Sequence, residues 1–171
     1  MVRLGRICSG HGLEAGIFAK VECHNLSGST KDRVALGMIL DAEASGALKA
    51  GGTIIEATSG NTGIGLAAVG AIRGYKVLIV MPDTMSQERI RMIRAYGAEV
   101  VLTPGAEGMA GSVGRSEQIC RDTPNSIIAS QFSNPSNPRA HEDSTGPEIW
   151  EDMDGKVDVF VAGIGTGGTV S

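Results

Sequence analysis

Short apolar runs and longer helical patterns alternate along this chain. Six runs have the length and composition of β-strands and lack a strict alternation of apolar and polar residues. These predicted strands cover residues 17–22, 53–57, 76–81, 99–103, 126–130 and 157–162. Helical patterns are predicted at residues 31–44, 62–73, 86–96, 112–121 and 139–152, the last with an interruption at Gly146-Pro147. Apolar strands that alternate with helices indicate an α/β fold with parallel sheets covered by helices on both faces.

One turn between a strand and a helix carries many polar side chains. It follows the apolar run at residues 53–55 and reads Glu56-Ala57-Thr58-Ser59-Gly60-Asn61-Thr62-Gly63. The N-terminus of the next helix has free backbone N–H groups and a positive dipole end, so it can bind a carboxylate or a phosphate. Four side chains add hydrogen-bonding groups there: Thr58, Ser59, Asn61 and Thr62. Ordinary N-capping of a buried helix is the alternative interpretation.

A lysine lies where a Gly-Ser loop turns into a helix, in the segment Asn25-Leu26-Ser27-Gly28-Ser29-Thr30-Lys31-Asp32-Arg33. Desolvation of Lys31 at such a place would lower its pKa and make its amine a nucleophile toward an aldehyde. The alternative is a solvated lysine in the first helical turn, because most lysines are surface charges. We expect Asp32 and Arg33 to stabilise the start of the helix and to form an ion pair.

A glycine-rich segment, Gly163-Ile164-Gly165-Thr166-Gly167-Gly168-Thr169, follows the last predicted strand and matches G-x-G-x-x-G. Its glycines let backbone N–H groups approach a phosphate, and the two threonines add hydroxyl groups. A dinucleotide site is the competing interpretation, but that fingerprint needs a following helix and an acidic residue about 20 positions further on. The sequence to Ser171 contains neither, so a phosphate cup that works with Lys31 and Asn61 is the better interpretation.

Composition and charge argue against several other functions. Three Phe, two Tyr and one Trp, with a net charge of −4, provide neither stacking platforms nor a basic surface for nucleic acid. No apolar run approaches the roughly 18 residues of a membrane span, and no signal-peptide pattern opens the chain. We therefore expect a cytoplasmic protein that does not bind membranes. Cys8, Cys23 and Cys120 are expected to be reduced thiols, and their spacing from nearby histidines fits no zinc site.

The three polar segments, in this order, resemble the cysteine synthase (O-acetylserine sulfhydrylase) family of fold-type II pyridoxal-phosphate enzymes. Residues 81–89, 131–135 and 145–150 are also similar to that family. The likeness runs from Val2 to Ser171 and covers the front part of the family's usual length. Leu26 stands where the family usually has Pro, and Thr30 stands where it has Val.

The resemblance implies two domains. Residues 46–150 would form a complete small α/β domain. Residues 1–45 would contribute a segment of a larger domain and the lysine helix, and residues 151–171 would add a strand and the glycine segment to that larger domain. The predicted strands at residues 17–22 and 157–162 would then have exposed edges that favour self-association.

The resemblance also implies pyridoxal 5′-phosphate as the cofactor, and a β-replacement that makes L-cysteine from O-acetylserine and sulfide. Lys31 would bond the cofactor and take the Cα proton, and Asn61 would hydrogen-bond the cofactor's phenolic oxygen. The cofactor phosphate would lie at Gly165, Thr166, Gly167, Gly168 and Thr169. The substrate carboxylate would be held by Thr58, Ser59, Asn61, Thr62 and Gln131. His141 would be structural, and the protein would be a homodimer.

Two alternatives stay open at this point. The chain is either a full catalyst or a weakly active half-enzyme that acts as a binding or self-associating module. Within the same chemistry, an activity on serine like that of cystathionine β-synthase is the nearest neighbour.

Overall fold

The computed structural model describes all residues from Met1 to Ser171. Its strands are β1 (Val2–Arg3), β2 (Phe18–Ala19), β3 (Thr53–Ala57), β4 (Lys76–Pro82), β5 (Glu99–Thr103) and β6 (Ser126–Ile128). Its helices are α1 (Gly5–Gly10), α2 (Lys31–Ala44), α3 (Asn61–Arg73), α4 (Gln87–Ala95), α5 (Gly108–Asp122), α6 (Ser136–Ala140) and α7 (Gly146–Asp152). A π turn, His141–Thr145, joins α6 to α7.

Strands β3 to β6 form one parallel sheet in the order β5-β4-β3-β6. In the central pair, Ile55 lies opposite Leu78 and Ala57 lies opposite Val80. Helices α3 and α4 pack together on one face of the sheet, and α5 packs against the other. The predicted α/β fold, a parallel sheet with helices on both faces, is confirmed. Because β3 and β6 are neighbours, the loops at their carboxyl ends meet at one edge.

Helix α3 lies at the centre of the core, where glycines let its backbone approach the sheet closely. It is buried from Thr62 to Gly70. A Cβ added at Gly70 would overlap the side chain of Val77, and one at Gly63 would lie 2.9 Å from a methyl carbon of Thr58. Apolar side chains of α2, α4 and the sheet complete the core; they include Val34, Ile39, Ile54, Ile79 and Ile93.

Of the two strands predicted outside the parallel sheet, the one at residues 17–22 forms only in part and the one at residues 157–162 is wrong. Of residues 17–22, only Phe18 and Ala19 form a strand, and it pairs antiparallel with Val2 and Arg3. Residues 157–162 have no regular structure, and Val159 and Val161 are 78% and 87% exposed. A strand must pair its backbone groups with a neighbour, and no strand lies beside this segment. The glycine segment therefore does not follow a strand.

Several helix and strand boundaries also differ from the prediction. The predicted strand at residues 126–130 ends at Ile128, and the helix predicted to begin at residue 112 begins at Gly108. The last helical region begins at Ser136 instead of residue 139, and its interruption is the π turn before Gly146. Pro147 lies in the first turn of α7, directly after the π turn, and has no N–H to donate to that turn.

Ion pairs join the N-terminal segment, α2 and α7. The Arg33 guanidinium lies 2.7 Å from a carboxylate oxygen of Glu22 and 2.7 Å from one of Glu148, as predicted for an ion-pairing residue. Lys20 also pairs with Glu148. Hydrogen bonds from Arg33 and Lys20 lower the pKa of Glu148 to about 2. These contacts connect the start of α2, the helix that carries Lys31, to α7.

No helix of the structure has the length and apolar character needed to cross a bilayer. No group of three or more His, Cys, Asp or Glu side chains is arranged to hold a metal ion. All three cysteines are free.

Candidate active site

The loop after β3 enters α3 without a capping side chain. Gly60 is the N-cap residue of α3, and the hydroxyl of Thr58 accepts the Gly60 N–H at 3.2 Å. Arg89 of α4 donates to the Ser59 carbonyl at 2.8 Å. No side chain accepts from the first N–H groups of α3, so the interpretation of this loop as a plain Ser, Thr or Asn cap is wrong. Asn61 is exposed at the first position of the helix.

Gln131 joins this loop from the carboxyl end of β6. The Thr62 hydroxyl donates to Gln131 Oε1 at 2.6 Å, and both residues are buried. The Gln131 N–H donates to Glu56 Oε1 at 3.3 Å, and the preceding N–H, that of Ser130, donates to Glu56 Oε2 at 2.7 Å. Burial raises the pKa of Glu56, against these backbone hydrogen bonds, which lower it. The amide of Gln131 is thus fixed beside the start of α3.

Lys31 is the first residue of α2 and is half-buried. Its N–H donates to the Ser29 hydroxyl at 3.2 Å. The carboxylate of Asp32 holds the loop before it by accepting the Ser27 N–H at 2.7 Å and the Ser27 hydroxyl. Burial lowers the pKa of the Lys31 amine.

Helix α3 packs directly on the backbone of the lysine loop at Gly65. A Cβ added there would lie 3.1 Å from the Lys31 carbonyl oxygen and 3.0 Å from Asp32 Oδ1. The lack of a side chain at Gly65 therefore lets the lysine approach the first turns of the helix that carries Thr62.

The glycine segment contacts the same region through Asn137. Asn137 Nδ2 donates to the Gln131 carbonyl at 2.8 Å and to the Thr166 hydroxyl at 2.8 Å. Gly168 is buried, and a Cβ there would overlap the Asn137 side chain. Gly167 has a φ of +85°, which glycine adopts without strain. Asn137 Oδ1 is buried and has no hydrogen-bond partner within the chain.

His141 connects Thr169 to the π turn. Its Nε2 lies 3.3 Å from the Thr169 hydroxyl, and its Nδ1 lies 3.0 Å from the Thr145 hydroxyl. Burial and the positive charges of Lys31 and Arg33 lower the pKa of His141. A neutral imidazole can donate to one of these hydroxyls and accept from the other.

The structure therefore brings most of the predicted site residues together, and it adds two that the sequence did not single out. Glu56 carried a signal, because an acid in the apolar run at residues 53–57 is unusual. The sequence carried no such signal for Asn137, because this residue lies in a polar stretch between two predicted elements. Gly165 and Gly163 differ from Gly168, because a Cβ at either position would contact nothing within 4 Å.

The arrangement suits binding of a small molecule with two anionic groups. The loop after β3 offers a helix start without a cap, three hydroxyls and the fixed amide of Gln131, and Asn137 links Gln131 to the glycine segment with its two threonines. An amine with a lowered pKa lies at the start of α2, where it can act as a nucleophile or a base.

Comparison with known proteins gives matches to one family of enzymes along the whole chain. The family model described as pyridoxal-phosphate dependent enzyme matches residues 1–171. Cysteine synthase A of Escherichia coli (strain K12) is 54% identical over 172 residues, which cover 100% of this chain and 52% of the relative. A probable cysteine synthase of Bacillus subtilis (strain 168) is 51% identical, over 100% of this chain and 55% of the relative.

Solved structures share the fold as well. An O-ureido-L-serine synthase superposes with a TM-score of 0.93 at 47% identity, covering 99% of this chain and 53% of that one. The cysteine synthase of Entamoeba histolytica gives a TM-score of 0.84 at 47% identity, covering 88% and 45%. The chain spans about half the length of the curated relatives it matches. Because the family model matches every residue, the chain belongs to the family of pyridoxal-phosphate dependent enzymes.

Proposed function

We propose that this chain carries the lysine and the amino-acid-binding part of a cysteine synthase, which replaces the acetate of O-acetylserine with sulfide to give L-cysteine. The observation that carries the proposal is the Thr62–Gln131 hydrogen bond, which fixes an amide at the uncapped start of α3. The relatives named cysteine synthase, at 51–54% identity, support the choice of reaction.

The residues present fit pyridoxal 5′-phosphate as the cofactor. Gly168 has no room for a side chain, and Thr166 and Thr169 place hydroxyl groups near its backbone. Backbone N–H groups and hydroxyls of this kind can together bind a phosphate. The proposed phosphate ligands are Gly165, Thr166, Gly167, Gly168 and Thr169, with Asn61 at the phenolic oxygen and Lys31 at the aldehyde carbon. When bound, the cofactor draws electrons away from the substrate Cα.

Lys31 is the proposed catalytic residue. Its Nζ would hold the cofactor and, when an amino acid is bound, would accept the proton from the substrate Cα. A lowered pKa favours this role, because a larger fraction of the amine is neutral and able to accept a proton.

The substrate carboxylate is proposed to bind at the start of α3, to Thr58, Ser59, Asn61, Thr62 and Gln131. Gln131 Oε1 accepts from Thr62, and its Nε2 group has two N–H donors, of which one faces the Glu56 carboxylate and the other is proposed to donate to the substrate carboxylate. The helix N-terminus adds backbone donors and a favourable dipole at the same point.

The domain boundaries are part of this proposal. All strands of the parallel sheet lie within residues 46–150, which we assign to a small domain. Residues 1–45 and 151–171 are assigned to a larger domain, supported by the contact of the Met1 amino group with Asp152 at 2.7 Å.

We also propose a homodimer in the cytoplasm. The exposed apolar side chains of Val159, Val161 and Ile164 offer a surface for association. Three free cysteines are compatible with a reducing compartment.

Product analysis on the cofactor-loaded protein tests the function. We expect L-cysteine from O-acetylserine and sulfide, and no cystathionine from serine and homocysteine. Lys31→Ala should abolish cysteine formation, whereas Lys49→Ala, which changes an exposed lysine in a loop, should not. Cystathionine from the second pair of substrates, or unchanged cysteine formation in Lys31→Ala, would overturn the proposal.

A further inference from the structure

Glu56 is a buried acid without a cationic partner. It is 3% exposed at the carboxyl end of β3, and no Lys or Arg forms a salt bridge with it. A buried carboxylate is costly unless it is hydrogen-bonded. Its hydrogen-bond donors are the backbone N–H groups of Ser130 and Gln131, at 2.7 and 3.3 Å, and the Gln131 side chain also contributes a hydrogen bond. The carboxylate therefore accepts hydrogen bonds from the turn that follows β6.

That turn needs an acceptor at this point. The Ala129 N–H still bonds to the Ile55 carbonyl, so pairing between β3 and β6 extends to Ala129. Ser130 then adopts a φ of +56°, in the left-handed region that side-chain-bearing residues rarely use. The N–H groups of Ser130 and Gln131 do not join the ladder, and Glu56 supplies the oxygens that receive them.

Gln131 is held at three atoms, and each contact comes from a different element. Thr62 of α3 binds its side-chain oxygen, Asn137 of α6 binds its carbonyl oxygen, and Glu56 of β3 binds its N–H. Of these three contacts, only the one with Glu56 ties the Gln131 backbone to the parallel sheet.

We infer that Glu56 is a positioning residue of the amino-acid site, whose carboxylate fixes the Ser130–Gln131 turn so that the Gln131 amide faces the start of α3. The identity of the ligand rests on the proposed function, but the fixing of the turn is a property of the chain without ligand. The two claims therefore fail separately.

Amide hydrogen exchange in the unliganded protein, followed by NMR, tests the fixing of the turn. Glu56→Gln keeps the shape of the side chain but removes one acceptor, and Glu56→Ala removes both. We expect the Ser130 and Gln131 amides to exchange about tenfold faster in Glu56→Gln and faster still in Glu56→Ala. The Ala129 amide reports whether the sheet is intact, and Glu56→Gln decides the matter if Glu56→Ala does not fold.

Glu117→Gln is the matched control. Glu117 lines the same 420 Å³ cavity as Glu56, but it is exposed and forms no hydrogen bond with the turn. Its replacement should leave all of these amides unchanged. Exchange at Ser130 and Gln131 that is as slow in Glu56→Gln as in the wild type overturns the inference.

A binding measurement tests the consequence for the ligand. The protein loaded with pyridoxal phosphate is titrated with L-serine, and the change in cofactor absorbance is followed. We expect about tenfold weaker L-serine binding in Glu56→Gln, the same absorbance change at saturation, and wild-type behaviour in Glu117→Gln. Equal affinity in Glu56→Gln and wild type overturns the inference. If the wild type responds neither to L-serine nor to O-acetylserine, the proposed function fails, and the exchange result still decides the role of Glu56.

Discussion

Two hydroxyl groups of the loop after β3 have different surroundings. The Thr62 hydroxyl is buried and donates to Gln131, whereas the Ser59 hydroxyl makes no hydrogen bond within the chain and is partly exposed. The Thr62 hydroxyl is therefore used in the folded chain itself, whereas the Ser59 hydroxyl is free to meet solvent or a ligand.

Thr62→Val and Ser59→Ala should separate these two roles. Thr62→Val leaves a buried oxygen of Gln131 without its donor, so we expect the free energy of unfolding to fall by about 1–3 kcal/mol. Ser59→Ala should change stability by less than about 0.5 kcal/mol, yet weaken amino-acid binding by about 1.5–3 kcal/mol through loss of a charge-assisted hydrogen bond. Urea unfolding and ligand titration measure both. Equal stability of Thr62→Val and the wild type would contradict the role of Thr62.

Gly168 offers a second test at this scale. A Cβ at Gly168 would overlap the Asn137 side chain, so Gly168→Ala should displace the glycine segment and destabilise the protein by about 1–3 kcal/mol. We expect at least tenfold weaker binding of pyridoxal phosphate, measured by absorbance titration. Gly163→Ala is the control, because a Cβ there meets nothing within 4 Å. Equal effects of the two substitutions would contradict this packing.

Among the elements, α2 and α7 are joined by the ion pairs of Glu148. Its pKa is lowered to about 2, from 4.5, by hydrogen bonds from Arg33 and Lys20. Because the folded-state pKa is depressed, the ionised form favours the folded state. The contribution of Glu148 is complete above its unfolded pKa of about 4.5 and is lost as the pH falls toward 2.

Glu148→Gln should therefore lower the free energy of unfolding at pH 7, and the difference from the wild type should shrink as the pH is lowered toward 3. Urea unfolding at several pH values measures it. Glu142→Gln is the control, because Glu142 is an exposed acid of the same helical region and has no ion pair. A difference for Glu148→Gln that stays constant with pH would contradict the account.

The sequence predicted the elements that carry their own local signal. Residues 31–44, 53–57 and 99–103 have the predicted bounds, residues 62–73 and 76–81 differ by one residue at one end, and residues 86–96 differ by one residue at each end. Their apolar periodicity and their glycine or polar boundaries are local properties. Residues 17–22 and 157–162 have the same β-type composition, but a strand depends on a partner that composition does not reveal.

At the scale of the whole molecule, residues 157–164 present an uncovered apolar surface. Val159, Val161 and Ile164 are each at least 78% exposed, and the segment has no strand neighbour. Apolar side chains concentrated on one short segment are unusual on a monomer surface.

We expect this segment to drive self-association. Val161→Lys should shift the protein toward the monomer in analytical ultracentrifugation, because a charge there opposes apolar contact. Ile72→Lys, at an exposed apolar position on α3, should have no effect. A monomeric wild type, or equal effects of the two substitutions, would contradict the expectation.

The candidate site was predicted as three separate segments, and the fold supplies what joins them. The hydroxyls of the β3 loop, Lys31 and the glycine segment could be recognised by their residue types. Their connection runs through Glu56, Gly65 and Asn137, which act by close packing and by hydrogen bonds between residues far apart in the chain. Such contacts depend on how β3 and β6 pair and on how α3 packs on α2, and no local pattern specifies them.

The most direct test of the account is the site at which pyridoxal phosphate attaches. Borohydride reduction makes a bond between a lysine amine and pyridoxal phosphate permanent, and peptide mapping then locates it. We predict that the label lies on Lys31, because that amine is half-buried and its pKa is lowered beside α3. Label on Lys20, Lys49, Lys76 or Lys156 in place of Lys31 would contradict the account.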